Sequence, residues 1–139
     1  MKTFKLKALE VIESKDSDKD ITQYQIPLLE GLIINREDEN NRWVIEAYID
    51  KKYHAFFTRL KETREEIMIQ VKITKQSNAP ATFITSIIGM NDVGENMNVL
   101  FMGTIVDKQR EIVLDMLKKL IDQGYHGEDL LDEFKGLIK

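Results

Sequence analysis

As far as about Asp107 the apolar residues mostly alternate with polar ones; beyond it they recur every three to four positions until the chain ends. Alternation marks a strand with one buried face, and a period near 3.6 marks a helix. The break predicts a β-rich body carrying a C-terminal helical pair. The first strand runs from Thr3 to about Glu13, with Phe4, Leu6 and Ala8 on one face. The apolar phase then moves to Leu9 and Val11, as an inserted bulge residue would cause. After the polar turn Ser14–Asp20 come Ile21–Leu29 and Leu32–Ile34, separated by Glu30-Gly31. An acidic turn, Asn35–Asn41, leads into Trp43–Ile49, where Trp43, Ile45, Ala47 and Ile49 share a face.

Asp50 has the chemistry of a helix N-cap, an oxygen that accepts from the first free amides. Tyr53, Phe56, Phe57 and Leu60 follow at helical spacing, so a short amphipathic helix is expected over about 51–60. Ile67, Ile69, Val71 and Ile73 form the clearest half-buried strand. Ala81–Ile88 and Val99–Val106 differ, since both faces carry apolar residues: Phe83 and Ile87 lie opposite Ile84 and Ile88, and Phe101 lies opposite Leu100 and Met102. A strand apolar on both faces needs cover on both, and the nearest cover is the helix that follows. That helix starts after Asp107, a second candidate N-cap, and stops at Gly124. Its apolar arc of Ile112, Val113, Leu114, Met116, Leu117, Leu120 and Ile121 is wide enough for two neighbours. The last helix, from about Glu128, carries the narrower stripe Leu130, Leu131, Phe134, Leu137 and Ile138. The expected order places the first of these helices between the sheet and the second, in an α-hairpin.

Size and composition narrow the chemistry. A chain of 139 residues builds a real core without covalent staples. It has no cysteine, which removes thiolate catalysis, dithiol redox chemistry and cysteine zinc sites and suits a reducing cytoplasm. No signal peptide or membrane-length apolar run is present, so a cytoplasmic protein is expected. The net charge of −4, with both signs interspersed, argues against generic nucleic-acid binding.

Individual motifs fall short of a reaction. Asp16-x-Asp18-x-Asp20 begins like a calcium loop, but Ile21 holds the glycine position and Pro27 the closing glutamate position. His54 borders the aromatic stripe of the short helix. His126 precedes Glu128 and Asp129 without any zinc spacing, and the helix dipole accounts for those two acids. No nucleophile elbow, phosphate loop or dinucleotide fingerprint occurs. No catalytic residue, metal ligand or cofactor site is assigned. The aromatics near Lys51, Lys52 and Arg59 suit base stacking, although their helical spacing reads better as core. Asn91–Asn98, the longest polar connection between strands, reads as a hairpin loop or as a flap that meets a partner.

Three segments carry a family resemblance: Met1-Lys2-Thr3-Phe4-Lys5-Leu6, Gly31-Leu32-Ile33-Ile34-Asn35-Arg36-Glu37-Asp38, and Trp43-Val44-Ile45-Glu46-Ala47-Tyr48. With the chain length, they resemble the YwpF-like proteins of Gram-positive bacteria. The resemblance implies a β-barrel similar to the tube-forming protein of type VI secretion systems, with a two-helix pair appended. It carries over no catalytic or binding residue. A likeness of fold is weak evidence for secretion, and Gram-positive bacteria generally lack that apparatus.

The resulting expectation is an α+β, mainly β fold. An antiparallel β-barrel core spans 1–106, and a helix hairpin packed on it spans 107–139. The leading function is non-catalytic: binding an unidentified protein, or self-assembly into a homo-oligomer. The expected interaction surface comprises Leu117 and Phe134 on the helices and Asn91, Asp92, Glu95 and Asn96 at the hairpin. The rivals are a small-ligand or enzymatic site inside or at the mouth of the barrel, where polar groups such as Glu46 or His54 would converge, and single-stranded nucleic-acid binding.

Overall fold

The computed structural model describes residues 1–14, 21–106 and 110–138. The turn bearing Asp16, Asp18 and Asp20 and the cap at Asp107 lie outside them. Seven strands and three helices follow in order: β1 (Lys2–Ser14), β2 (Ile21–Ile26), β3 (Glu30–Asn35), β4 (Arg42–Asp50), α1 (His54–Thr63), β5 (Ile67–Ile73), β6 (Ala81–Val93), β7 (Asn96–Val106), α2 (Arg110–Asp122) and α3 (Gly127–Leu137). A 3₁₀ turn, Lys51–Tyr53, leads into α1. All pairings are antiparallel, and the order β1-β3-β4-β7-β6-β5 closes on itself through β1–β5. The implied barrel is therefore present. No helix among the described residues is long and apolar enough to cross a membrane.

Closure depends on irregularities at particular residues. The β1–β5 register shifts between Leu6 and Ala8, where the sequence changes apolar phase, so Leu6, Leu9 and Val11 all reach the interior. Opposite, β2 and β3 act as one interrupted strand. Leu9↔Ile26 begins the first pairing and Lys5↔Leu32 ends the second. The interruption falls at Pro27–Leu29, not at the expected Glu30-Gly31, because proline cannot donate to a ladder. Gly31 instead sits within β3, where a Cβ would lie 2.8 Å from Leu6 Cδ2.

Two apolar cores share these strands. Ile33, Ile45, Ile49, Ile69, Phe83, Val99 and Phe101 fill the barrel, and Phe57 and Leu60 of α1 enter the same cluster. Phe57 meets Phe101 edge-on at 6.0 Å, and Trp43 meets Phe83 at 5.4 Å. Outside the barrel, Ile12, Met68, Ile84 and Val106 pack with Val113, Leu117, Leu120, Ile121, Leu130 and Phe134. The helix pair thus covers one side of the barrel. Ile84 is covered as expected, but Leu100 and Met102 belong to neither core.

The helix order also differs from the expected stack, because α3 reaches the barrel itself. Glu128 Oε1 accepts from the Glu65 backbone N–H at 2.6 Å, and Lys135 Nζ lies 2.6 Å from Glu66. The α2–α3 turn is a Schellman arrangement: Gly124 takes φ +100°, its N–H donates to Ile121 O, and Tyr125 N–H donates to Leu120 O.

Local polar chemistry fixes two further joints. Asp50 caps the 3₁₀ turn by accepting from Lys52 N–H at 2.8 Å. In the β3–β4 turn, Asp38 accepts from the N–H groups of Asn40 and Arg42 and from Arg42 Nε. The Arg42 backbone N–H, followed by its side chain, holds the Asp38 carboxyl below the usual carboxylate range. A lowered folded pKa adds stability above the unfolded value of about 3.9, and that stability is lost as pH falls through the folded value. The thermal midpoint of Asp38→Asn is therefore expected to fall less than that of the parent on acidification below pH about 4. Parallel melts check this, and identical slopes would rule it out.

Candidate functional site

The barrel interior offers no ligand chamber. Its largest side chains are fully buried against one another, and Glu46 and His54 do not converge there. Glu46 pairs with Leu32 and Leu100 on the outer face, since its neighbours Ile45 and Ala47 point inward. His54 lies at the start of α1, half-exposed, 3.8 Å from Asp92. The rings considered for base stacking are also committed. Phe57 is in the core, and Phe56 packs on Tyr24 at 4.9 Å beneath Arg59.

A charged cluster does sit at the barrel's end. Glu13 is buried, and its carboxylate receives a two-point hydrogen bond from Arg59 at 3.1 and 3.2 Å. Arg64 Nε stands 4.0 Å away, and its Nη2 donates to Ser14 O. The hydrogen bond to Glu13 raises the Arg59 pKa further. Glu13 continues the inward phase of Leu9 and Val11, a charge where the alternation calls for an apolar residue. That signal was available in the sequence, and sequence reasoning passed over it. The cavity beside it, lined by Ile12, Ser14, Leu60 and Leu130, measures about 30 Å³. That is room for a water and not for a metabolite. Among the described residues no three metal-ligating side chains converge. The cluster ties α1 to β1; it has no substrate-sized space to work on.

The proposed interaction residues divide into two groups. Leu117 and Phe134 are buried inside the second core, which corrects their assignment to a surface: their apolar faces are spent on this chain's own barrel. The hairpin residues are accessible. Asn91–Asn98 is not a long flap, however, because pairing continues to Val93↔Asn96 and leaves a two-residue turn, Gly94-Glu95. Gly94 takes φ +62°, as tight hairpins require. Asn91, Asp92 and Glu95 are exposed. Asp92 lies 3.5 Å from Lys51, and half-buried Asn96 donates to the Tyr48 hydroxyl. His126 precedes α3 and contributes no side-chain cap.

A second accessible surface lies on β3, β4 and β7. Strand register aligns two rows across it: Thr3, Ile34, Val44 and Met102 in one, and Lys5, Leu32, Glu46 and Leu100 in the other. Leu32 is 40% exposed. Arg36 Nη1 reaches over to Met102 Sδ at 3.4 Å. Parity showed β7 to be apolar outside as well as inside; nothing local to it showed that no helix arrives at Leu100 and Met102.

The relatives agree with this architecture throughout its length. The family model described as YwpF-like protein matches residues 2–136. The chain is 37% identical over 135 residues to the Bacillus subtilis (strain 168) protein named Uncharacterized protein YwpF, covering 97% of this chain and 98% of that one. A crystal structure of a hypothetical protein from Staphylococcus aureus is similar with a TM-score of 0.70 and 26% identity, over 97% of this chain and 91% of that one. By its strands, its helix pair and its whole-length match, the chain belongs to the YwpF-like family.

Proposed function

We propose that this protein is a non-catalytic docking module, acting by binding a protein surface or by assembling with itself. One observation carries the reading: the barrel is packed shut while apolar and polar surface outside it stays uncommitted. Enzymes and small-ligand carriers place convergent polar groups in a concave pocket of several hundred Å³. Here the larger hollows are open grooves. One of about 470 Å³ runs beside Lys7, Lys72 and Gln76; another of about 530 Å³ lies beside Lys61, Glu65 and Ile87. The hairpin tip, with exposed Asn91, Asp92 and Glu95 beside the end of β4, supplies the polar contact points.

A photo-crosslinking side chain placed at Glu95, and in a control at exposed Glu133 on α3, tests this in native cells. Adducts of discrete mass are expected from Glu95, reduced by Asp92→Arg and absent from Glu133. Equal labelling at both positions would remove the hairpin from the reading. A metabolite that stabilises the purified chain would overturn the reading itself, since saturation at about 100 times Kd adds about 2.7 kcal/mol.

A further inference from the structure

Near its tip the β6–β7 hairpin is paired on one side only. β7 runs beside β4 as far as Asp50↔Asn96, whereas β5 leaves β6 at Ile67↔Thr85. β6 continues to Val93, so its second edge joins no strand over residues 86–93 among the described residues. Val93 and Asn96 flank the two-residue turn and so form a hydrogen-bonded pair. Alternation from that pair turns the N–H and C=O groups of Asp92 and Met90 away from β7. Among the described residues no hydrogen bond takes these groups up. Ile88, the extra residue at the register shift, and Val93 stay 48% and 46% exposed. A backward extension of β5 would bring Glu65 beside Ile87, but the chain departs there for α1, its last tie being Ser86 Oγ, which donates to Glu65 O at 2.7 Å. The hollow of about 530 Å³, lined by Lys61, Glu62, Arg64, Glu65, Ile87 and Glu128, opens at that point of departure.

We propose that an extended segment of a partner protein, bearing lysine or arginine, adds to this edge of β6 as a further strand. Unpaired backbone groups in a strand edge select another extended backbone. Charge decides whose backbone it is. Antiparallel pairing with a second copy about Met90 would carry Glu95 of each tip to Glu65 of the other, acid against acid. A foreign segment with basic residues at its ends meets Glu62 and Glu65 at one end and Glu95 at the other. Those three are exposed, and among the described residues none has an ion-pair partner. Lys61 is the like charge beside them, because Arg64 is held by Glu13 and Ser14 O. Asp92 is already answered by Lys51 and His54, so its part is played by its backbone.

This inference rests on the docking reading, and its failure is separable. The probe is the acetylated, amidated heptapeptide Lys-Val-Thr-Val-Thr-Val-Lys, titrated into the full chain while amide hydrogen exchange is followed by NMR. Binding is expected with a Kd of about 0.1–1 mM, the range of a short, unoptimised strand. At about ten times Kd, exchange at the Met90 and Asp92 amides is expected to slow about tenfold, while the Asn91 amide, already bonded to β7, changes little. Glu62→Lys combined with Glu65→Lys, both at exposed positions, is expected to weaken binding about tenfold with an unchanged thermal midpoint. The same peptide N-methylated at every valine and threonine keeps its charge and side chains and is expected not to bind. Equal binding of the methylated peptide, or no slowing at Met90 and Asp92, overturns the proposal. So does a parent chain that dimerises in sedimentation velocity and slows those two amides without peptide. Discrete adducts from Glu95, found together with unslowed Met90 and Asp92 amides, would keep the docking reading and remove strand addition.

Discussion

Leu117→Asp is expected to unfold the chain, not merely to loosen an assembly. Leu117 is 2% exposed and touches a cluster drawn from both C-terminal helices and from β1, β5, β6 and β7. Removing a buried leucine costs about 2–5 kcal/mol through lost transfer energy and the cavity left behind. The carboxylate adds the penalty of a polar group placed where no donor meets it. A total above about 4 kcal/mol approaches the whole stability of an ordinary domain. Phe134→Ala, at a fully buried ring, is the milder companion at about 3–5 kcal/mol. The two cores should fail together, because Ile12, Met68, Ile84 and Val106 lie on strands whose opposite faces line the barrel. The single tryptophan reports this directly. Trp43 sits against Phe83 inside the barrel, while circular dichroism at 222 nm follows the helices. Coincident unfolding curves are expected for the parent and for Phe134→Ala. If Leu117→Asp kept the parental midpoint and lost only an oligomer, α2 would be covering another chain.

The same residues show why part of the fold was legible and part was not. Period and phase are local, so a bulge near Ala8, a short helix over about 51–60 and the terminal helix pair could be read from neighbours in sequence; the structure sets the shift between Leu6 and Ala8 and the helix at 54–63. Barrel closure is a pairing of β1 with β5, more than fifty positions apart, and was available only through the family resemblance. Parity also showed that β6 and β7 were apolar on both sides, but parity names no partner. Ile84 and Val106 lie under the helices, while Leu100 and Met102, farther along the same outer face of β7, belong to neither core. Leu117 and Phe134 were misplaced for the same reason, since an amphipathic stripe looks alike whether its cover is internal or foreign. At Asn91–Asn98 polar composition suggested a loop, and Met90-Asn91-Asp92-Val93 carries no apolar–polar alternation to mark it as strand. There the packing that makes a strand comes from β4 and α1, which local sequence does not contain.

Glu13 and Arg59 make the second large effect. Arg59→Ala is expected to cost about 3 kcal/mol, near the lower end for breaking a buried ion pair by removing one member. The asymmetry of exposure sets that figure: the Glu13 side chain is 4% exposed and that of Arg59 44%. Without Arg59, Glu13 keeps its burial and retains only the longer approach of Arg64. Glu13→Gln should cost less, because the freed guanidinium turns into water and an amide still accepts a hydrogen bond. Changing both members to methionine should recover much of the loss, since an apolar pair of similar volume is often neutral or stabilising where a buried ion pair stood. Urea unfolding followed at Trp43 for the parent, Arg59→Ala, Glu13→Gln and the double variant combining those two gives all four corners of the cycle, with m-values checking that the transition stays two-state. A coupling energy below about 0.5 kcal/mol would place this pair with ordinary surface salt bridges, and α1 would then be held at the barrel by the packing of Phe57 and Leu60 and by Arg64 on Ser14 O. A coupling of about 2 kcal/mol or more would make the inward charge at Glu13 the lock that fixes α1 across the barrel's end. That lock positions the start of α1, and with it Lys51 and His54, beside Asp92 of the β6–β7 hairpin.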